Sequence, residues 1–88
     1  MSSVRVELST AARREYERLF LSNRQLFDRV QQALERLLQD PFAGKALHGP
    51  LAGRRSLRVG SLRIIYTYET ERLLVLVLLI RQRDKAYC

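Results

Sequence analysis

The stretch "SLRVGSLRIIYTY", which spans Ser56–Tyr68, contains two β-like runs separated by the dipeptide Gly60-Ser61. A glycine followed by a small polar residue is typical of a two-residue type II′ hairpin turn. Such a turn fixes the pairing of the two strands and places Arg58 directly opposite Arg63. Like charges that face each other destabilise a sheet. The pattern therefore indicates that these two guanidinium groups serve a purpose other than stability.

The same pairing predicts an apolar face on the other side of the hairpin. Four aliphatic residues occupy it: Leu57, Val59, Leu62 and Ile64. Tyr66 and Tyr68 share this face, and we interpret them as core residues. We therefore expect Arg58 and Arg63 to lie on the face of the sheet opposite the helices, within reach of one phosphate group.

The composition is that of a soluble globular protein, with 47% apolar and 28% charged residues in a chain of 88. We interpret residues 1–88 as a single domain. The formal net charge is +7, and residues 41–88 carry +6 of it, from nine Lys or Arg against three acidic residues. A basic half of this kind suits a polyanion or an acidic protein partner. A basic surface kept for solubility remains the alternative.

Cysteine usage and hydropathy limit the kinds of site and the location in the cell that we expect for this protein. The single cysteine, Cys88, provides neither an internal disulfide nor a metal-ligand cluster, so the sequence predicts no metal and no cofactor. The N-terminal run "MSSVRVELS" lacks the apolar core of a signal peptide, and Leu73–Ile80 is too short to cross a bilayer. We therefore expect a cytoplasmic protein without a membrane partner.

Three apolar residues near the N-terminus alternate with charged ones, as in a half-buried strand: Val4, Val6 and Leu8. Either Ser9 or Thr10 can cap the helix that follows. A second helix is predicted to begin at Ser22, which forms a capping-box pattern with Gln25, and to end near Asp40. The two amphipathic helices then form a hairpin with a very tight connection.

The C-terminal half predicts a loop and three strands. The loop, residues 41–53, holds both prolines and three of the four glycines. The strands are predicted at Arg54–Val59, Leu62–Glu69 and Leu73–Arg83. Because the last strand is apolar throughout Leu73–Ile80, it should lie at the centre of the sheet, with the N-terminal strand on its other side. The predicted fold class is α+β, in the order β-α-α-β-β-β, with a helical hairpin packed on a mainly antiparallel sheet.

Two segments, "GKALHGPLAGRRSLRVGSLRIIYTY" and the ending "IRQRDKAY", resemble the RelE/ParE superfamily, the toxins of type II toxin–antitoxin systems. The resemblance implies a single RelE-like domain. It also implies the activity of the RelE branch, a ribosome-dependent mRNA endonuclease (mRNA interferase). In that reaction the 2′-hydroxyl of a nucleotide in the ribosomal A site attacks the adjacent phosphate. The protein must help to remove a proton, stabilise a dianionic phosphorane and protonate the leaving oxygen.

The resemblance also assigns roles to individual residues. It implies that Arg63 and Arg83 stabilise the transition state and that Tyr87 stacks on the nucleotide or helps to activate it. Contacts with RNA or phosphate are expected from four further residues: Lys45, Arg54, Arg58 and Arg81. Simpler interpretations remain, since these arginines could pair with nearby acids and Tyr87 could dock on the core.

The sequence departs from the family pattern at two lysines of the first hairpin strand, which assist proton transfer in the best-studied branch. An ungapped alignment puts Arg54 and Ser56 at those sites, and a shift by two makes Arg58 the replacement. An arginine stays protonated in proteins and is therefore a poor general base. His48, in the Gly/Pro-rich loop, is the single histidine of the chain and by residue type a candidate acid or base, and its role stays open.

Three functions therefore stay open. The first is the mRNA endonuclease, the second is a ParE-like inhibitor of DNA gyrase, and the third is a catalytically weak co-repressor that binds its antitoxin. All three share one expected partner, a cognate antitoxin whose acidic, amphipathic segment folds as it binds. The endonuclease also requires the ribosome and mRNA, and a toxin–antitoxin hetero-oligomer on operator DNA is a further expectation.

Overall fold

The computed structural model describes residues 3–82. The elements in chain order are β1 Arg5–Leu8, α1 Thr10–Ser22, α2 Arg24–Gln39, β2 Lys45–Ala46, β3 Arg55–Val59, β4 Leu62–Glu69 and β5 Leu74–Gln82. They form one sheet of order β1-β5-β4-β3-β2, in which β1 pairs with β5 in parallel and the other pairs are antiparallel. This arrangement confirms the predicted α+β class and the central place of the last strand. The two-residue strand β2 lies within the predicted loop, where the sequence pattern did not indicate it.

The two helices pack on one face of the sheet. Ala12 and Leu19 of α1 and Val30 and Leu37 of α2 are buried in one cluster with apolar side chains of β3, β4 and β5. The predicted core residues Leu57, Val59, Leu62 and Ile64 all belong to it, as does Tyr66, and Tyr68 packs against it. The opposite face of the sheet, which we call the open face, is not covered by α1 or α2.

The Gly60-Ser61 turn has the predicted register. Val59 pairs with Leu62, and Arg58 pairs directly with Arg63. The backbone φ of Gly60 is +58°, whereas Ser61 is not among the residues of positive φ. This combination matches a type II′ turn, which needs positive φ at its first central residue only. The turn therefore sets the face on which both arginines lie.

Gly60→Ala is expected to lower the free energy of unfolding by about 1–2 kcal/mol, because a side chain at this φ meets the preceding peptide group. An added Cβ would also lie 3.3 Å from the Arg29 guanidinium. The measurement is urea denaturation. Ser61→Ala is the matched control, and it should stay within about 0.5 kcal/mol of the original protein. Equal stability of the two variants would contradict the assigned turn.

The predicted cap is confirmed for α1 and is wrong for α2. Ser9 caps α1, since its hydroxyl accepts a hydrogen bond of 3.1 Å from the Ala12 N–H. The predicted capping box at Ser22 is wrong, because Asn23 caps α2 through its side-chain oxygen. Ser22 still belongs to α1, and its hydroxyl donates to the Arg18 carbonyl at 2.7 Å. A hydroxyl used by the preceding turn is not free to cap the next helix.

Tyr66 fixes the loop that leads from α2 into β2. Its hydroxyl donates to the Pro41 carbonyl and accepts from the Gly44 N–H, at 2.8 Å each. A Cβ at Gly44 would lie 2.7 Å from that hydroxyl, so the position requires glycine. Arg55 adds a hydrogen bond of 2.7 Å to the Gly44 carbonyl and stacks over the Phe42 ring.

In residues 3–82, neither helix is long and apolar enough to span a membrane.

Candidate phosphate-binding site

Three arginines form a row across the open face. Arg58 of β3 pairs with Arg63 of β4, which pairs in turn with Arg81 of β5. Residues that face each other in adjacent strands project to the same side, with Cα atoms about 5 Å apart. We call this set the arginine row. It lies at the end of the sheet that holds the Gly60-Ser61 turn.

A β-bulge keeps Arg81 in the arginine row. Ile65 pairs with Leu79 and Tyr66 pairs with Val77, so Leu78 is the extra residue of the bulge. If the pairing continued without a bulge, Arg81 would face Leu62 on the core side of the sheet. The bulge, which the sequence did not indicate, therefore sets the face on which Arg81 lies.

Two grooves of the open face share Arg63. The first, which we call the leucine groove, has a volume of about 420 Å³. It is lined by Leu47, Leu51, Arg54, Arg63, Ile65, Leu78, Leu79 and Arg81. The second, which we call the lysine groove, has a volume of about 520 Å³ and is lined by Lys45, Ala46, Leu47, His48, Ser56, Arg58 and Arg63. In the leucine groove, cations lie beside apolar side chains. In the lysine groove, guanidinium groups lie beside Lys45 and His48, which are able to exchange a proton.

Acidic side chains lie away from the arginine row within the described chain. The ion pairs seen in residues 3–82 join Arg5 to Glu7, Arg18 to Glu15 and Arg72 to Glu69. Glu69 lies at the far end of β4, six residues from Arg63. Six residues of a strand span about 20 Å. Among residues 3–82, positive charge therefore dominates this end of the open face, as an anion-binding site requires.

Lys45 lies closer to the arginine row than its place in the sequence suggests. The strand β2 sets Lys45 directly opposite Ser56, and its side chain is exposed. The neighbouring strand thus brings an ammonium group beside Ser56 of the hairpin. His48, also exposed, lies three residues further and lines the same groove.

The predicted site residues divide into three groups. Arg58, Arg63 and Arg81 form the arginine row, while Lys45 and Arg54 line the grooves on either side. Arg83 and Tyr87 lie outside the described residues, so their roles stay predictions. Leu78 and Leu79 of the open face were missed, because a fully apolar strand gives no sign of which side is exposed.

Metal ligation finds no support in this part of the chain. Within residues 3–82, no three side chains of His, Cys, Asp or Glu lie together in an arrangement that could hold a metal ion. The described side chains of the site supply guanidinium groups, the Lys45 ammonium group, the His48 imidazole and the Ser56 hydroxyl.

Comparison with known proteins reveals related sequences and structures. A family model described as the ParE toxin of the type II toxin–antitoxin system parDE matches residues 6–87. The toxin–antitoxin complex RelBE2 from Mycobacterium tuberculosis contains a chain of 30% identity and TM-score 0.80, and the match covers 93% of this chain and 100% of that one. No curated protein sequence matches.

Two further structures share the fold at lower identity. A YoeB/ParE toxin from Agrobacterium tumefaciens has 19% identity and TM-score 0.82, with 91% of this chain and 99% of that chain covered. The RelBE toxin–antitoxin complex of E. coli has a chain with 18% identity and TM-score 0.73, with 92% and 96% covered. The arrangement of helices and strands described above is therefore one that solved toxins share.

Proposed function

The chain belongs to the RelE/ParE superfamily, the toxins of type II toxin–antitoxin systems, and from this premise we propose that it is a ribosome-dependent endoribonuclease that cleaves mRNA in the A site. The arginine row carries the proposal. Three guanidinium groups on adjacent strands of an open face provide the fixed positive charge that a phosphorane needs. A phosphate between Arg58 and Arg63 also turns their mutual repulsion into charge-assisted hydrogen bonds.

The two grooves divide the remaining work. In the proposed reaction Arg63, which lines both grooves, contacts the scissile phosphate. Lys45 and His48 are the groups of the lysine groove that can donate or accept a proton, since guanidinium groups stay protonated. Arg54 and Arg81 hold the RNA backbone from the leucine groove. The roles expected of Arg83 and Tyr87 are part of the same proposal.

The second candidate function is inhibition of DNA gyrase by binding, without nuclease chemistry. The match to a family model described as ParE toxin favours it. An arginine row on an open face would then contact the gyrase or its DNA rather than a scissile phosphate. A co-repressor that only binds its antitoxin is the third function, and it needs neither activity.

One preparation of the protein distinguishes these functions. Primer extension on mRNA bound to programmed 70S ribosomes measures cleavage, and a supercoiling assay measures gyrase activity. We expect cuts within the A-site codon and normal supercoiling. Intact mRNA with blocked supercoiling would overturn the endonuclease in favour of the gyrase inhibitor. Intact mRNA together with normal supercoiling would leave the co-repressor as the function.

The antitoxin is proposed to bind over the leucine groove, where apolar and cationic side chains meet. Salt should weaken this binding, yet a large part of the affinity should persist at high ionic strength, because burial of apolar surface is not screened. Calorimetric titration with the cognate antitoxin over a range of salt concentrations measures both parts. Loss of all binding at moderate salt would contradict the proposal.

Two variants separate the electrostatic part of the affinity for the antitoxin from the part that comes from burial of apolar surface. Arg54→Ala removes a cation of the groove and should lower the salt dependence. Leu51→Ser removes a side chain that is 44% exposed in the free protein, and it should weaken binding equally at all salt concentrations.

A further inference from the structure

Ser9 is joined to the bulge in β5 through both its backbone and its side chain. The Ser9 N–H donates to the Val77 carbonyl at 2.9 Å, and the Ser9 hydroxyl donates to the Leu78 carbonyl at 2.6 Å. The same hydroxyl accepts from the Ala12 N–H at the start of α1. One side chain therefore ties the end of β1 and the first turn of α1 to the bulge.

The hydroxyl meets a specific need of the bulge. An extra residue locally disrupts the ladder of hydrogen bonds, so its carbonyl needs another donor. The Leu78 carbonyl has that donor in Ser9. A donor fixed at a helix cap holds the bulge in one geometry, because the helix start is itself anchored by core residues such as Ala12.

The geometry of the bulge shapes the candidate site in two ways. It keeps Arg81 opposite Arg63 rather than opposite Leu62. It also lets two consecutive residues, Leu78 and Leu79, line the leucine groove, whereas consecutive residues of a regular strand face opposite sides. Both features depend on the geometry of the bulge at Leu78, whose carbonyl accepts the hydrogen bond from Ser9.

We propose that Ser9 is a positioning residue of the candidate site, which fixes Arg81 in the arginine row through its hydrogen bond to the Leu78 carbonyl. The inference rests on the proposed function only in the test that uses RNA as the ligand. Ser9 itself caps α1 and needs no contact with RNA.

Two substitutions separate positioning from capping. Ser9→Ala removes the cap and the bond to Leu78, while Ser9→Thr retains a hydroxyl that can make both. Asn23→Ala is the matched control, since it removes the cap of α2 and leaves β5 untouched. Ser9→Ala should lower the thermal stability more than Asn23→Ala, because it also removes the bond to the Leu78 carbonyl, and Ser9→Thr should restore it.

Amide hydrogen exchange gives the first decisive readout. Ser9→Ala should lose protection selectively in the strand segment after the bulge, Leu79–Gln82, compared with the segment before it. Asn23→Ala should not show this selective loss, and Ser9→Thr should recover the protection. Unchanged protection of Leu79–Gln82 in Ser9→Ala would overturn the inference and leave Ser9 as a helix cap only.

RNA binding gives the second readout, with a short single-stranded 2′-O-methyl oligoribonucleotide as the probe. A single-strand phosphate contact contributes a salt slope of about 0.7 in log–log form. Arg81→Ala should lower the slope by about this amount. Ser9→Ala, which changes no charge, should lower it as well, by up to the same amount, and should have no further effect in the Arg81→Ala background.

The two readouts separate failure of this inference from failure of the proposed function. If the original protein and Arg81→Ala bind the probe with the same salt slope, the phosphate role of Arg81 is wrong, and the exchange data alone then decide the role of Ser9. If Arg81→Ala lowers the slope while Ser9→Ala behaves as Asn23→Ala does, the positioning role is wrong and the proposed function stands.

Discussion

Replacing Arg63 with Ala is expected to lower the rate of A-site mRNA cleavage by about a hundredfold to a thousandfold, or about 2.7–4 kcal/mol of transition-state stabilisation. Arg63 is the middle member of the arginine row and lines both grooves. A cation in that place interacts most strongly with charge that develops during the reaction. The expected loss is therefore in the cleavage step, measured by single-turnover primer extension on programmed ribosomes.

Binding to the ribosome should change much less than cleavage in this variant, because in the proposed complex Arg54 and Arg81 still hold the RNA backbone. The matched control is Arg72→Ala, which removes one positive charge at the other end of the sheet, where Arg72 pairs with Glu69 at 3.1 Å. Arg72→Ala should cleave at nearly the original rate. Equal losses in the two variants would mean that net charge, rather than the arginine row, supports the reaction.

The parts of the fold that could be predicted are those with a local signal in the sequence. Gly60-Ser61 fixed the hairpin register because a turn of two residues leaves no freedom in the pairing. The face of Arg58 and Arg63 followed from that register and from the aliphatic residues between them. The central place of β5 followed from its uniformly apolar sequence.

The same uniform sequence explains why the bulge could not be predicted. In Leu73–Ile80 every residue is apolar, so either register places apolar side chains on both faces. The register after the bulge is decided by tertiary contacts, among them the bond from Ser9, which lies 69 residues away in the chain. The strand β2 was missed for a related reason, since two residues are too few to show a period.

Tyr66→Phe is expected to lower the free energy of unfolding by about 2–3 kcal/mol, because the substitution leaves the buried Gly44 N–H and the Pro41 carbonyl without their partner. Tyr66 is fully buried, so water does not replace the lost hydroxyl without rearrangement. Tyr68→Phe is the matched control. The Tyr68 ring packs against Phe42 and keeps that contact as phenylalanine, so its change should stay within about 0.5 kcal/mol.

The pH dependence of unfolding provides an independent test of the Tyr66 environment. Burial raises the pKa of the Tyr66 phenol above its ordinary value of 10.0. Above that pH the unfolded chain releases this proton while the folded protein retains it, so the stability of the fold should fall as the pH rises. Tyr66→Phe removes this contribution. A smaller alkaline fall should remain, because burial also raises the pKa of Tyr16. If the stability of the original protein and that of Tyr66→Phe fall equally between neutral and strongly alkaline pH, burial of the Tyr66 phenol does not contribute to the alkaline loss of stability, and the raised pKa assigned to it is wrong.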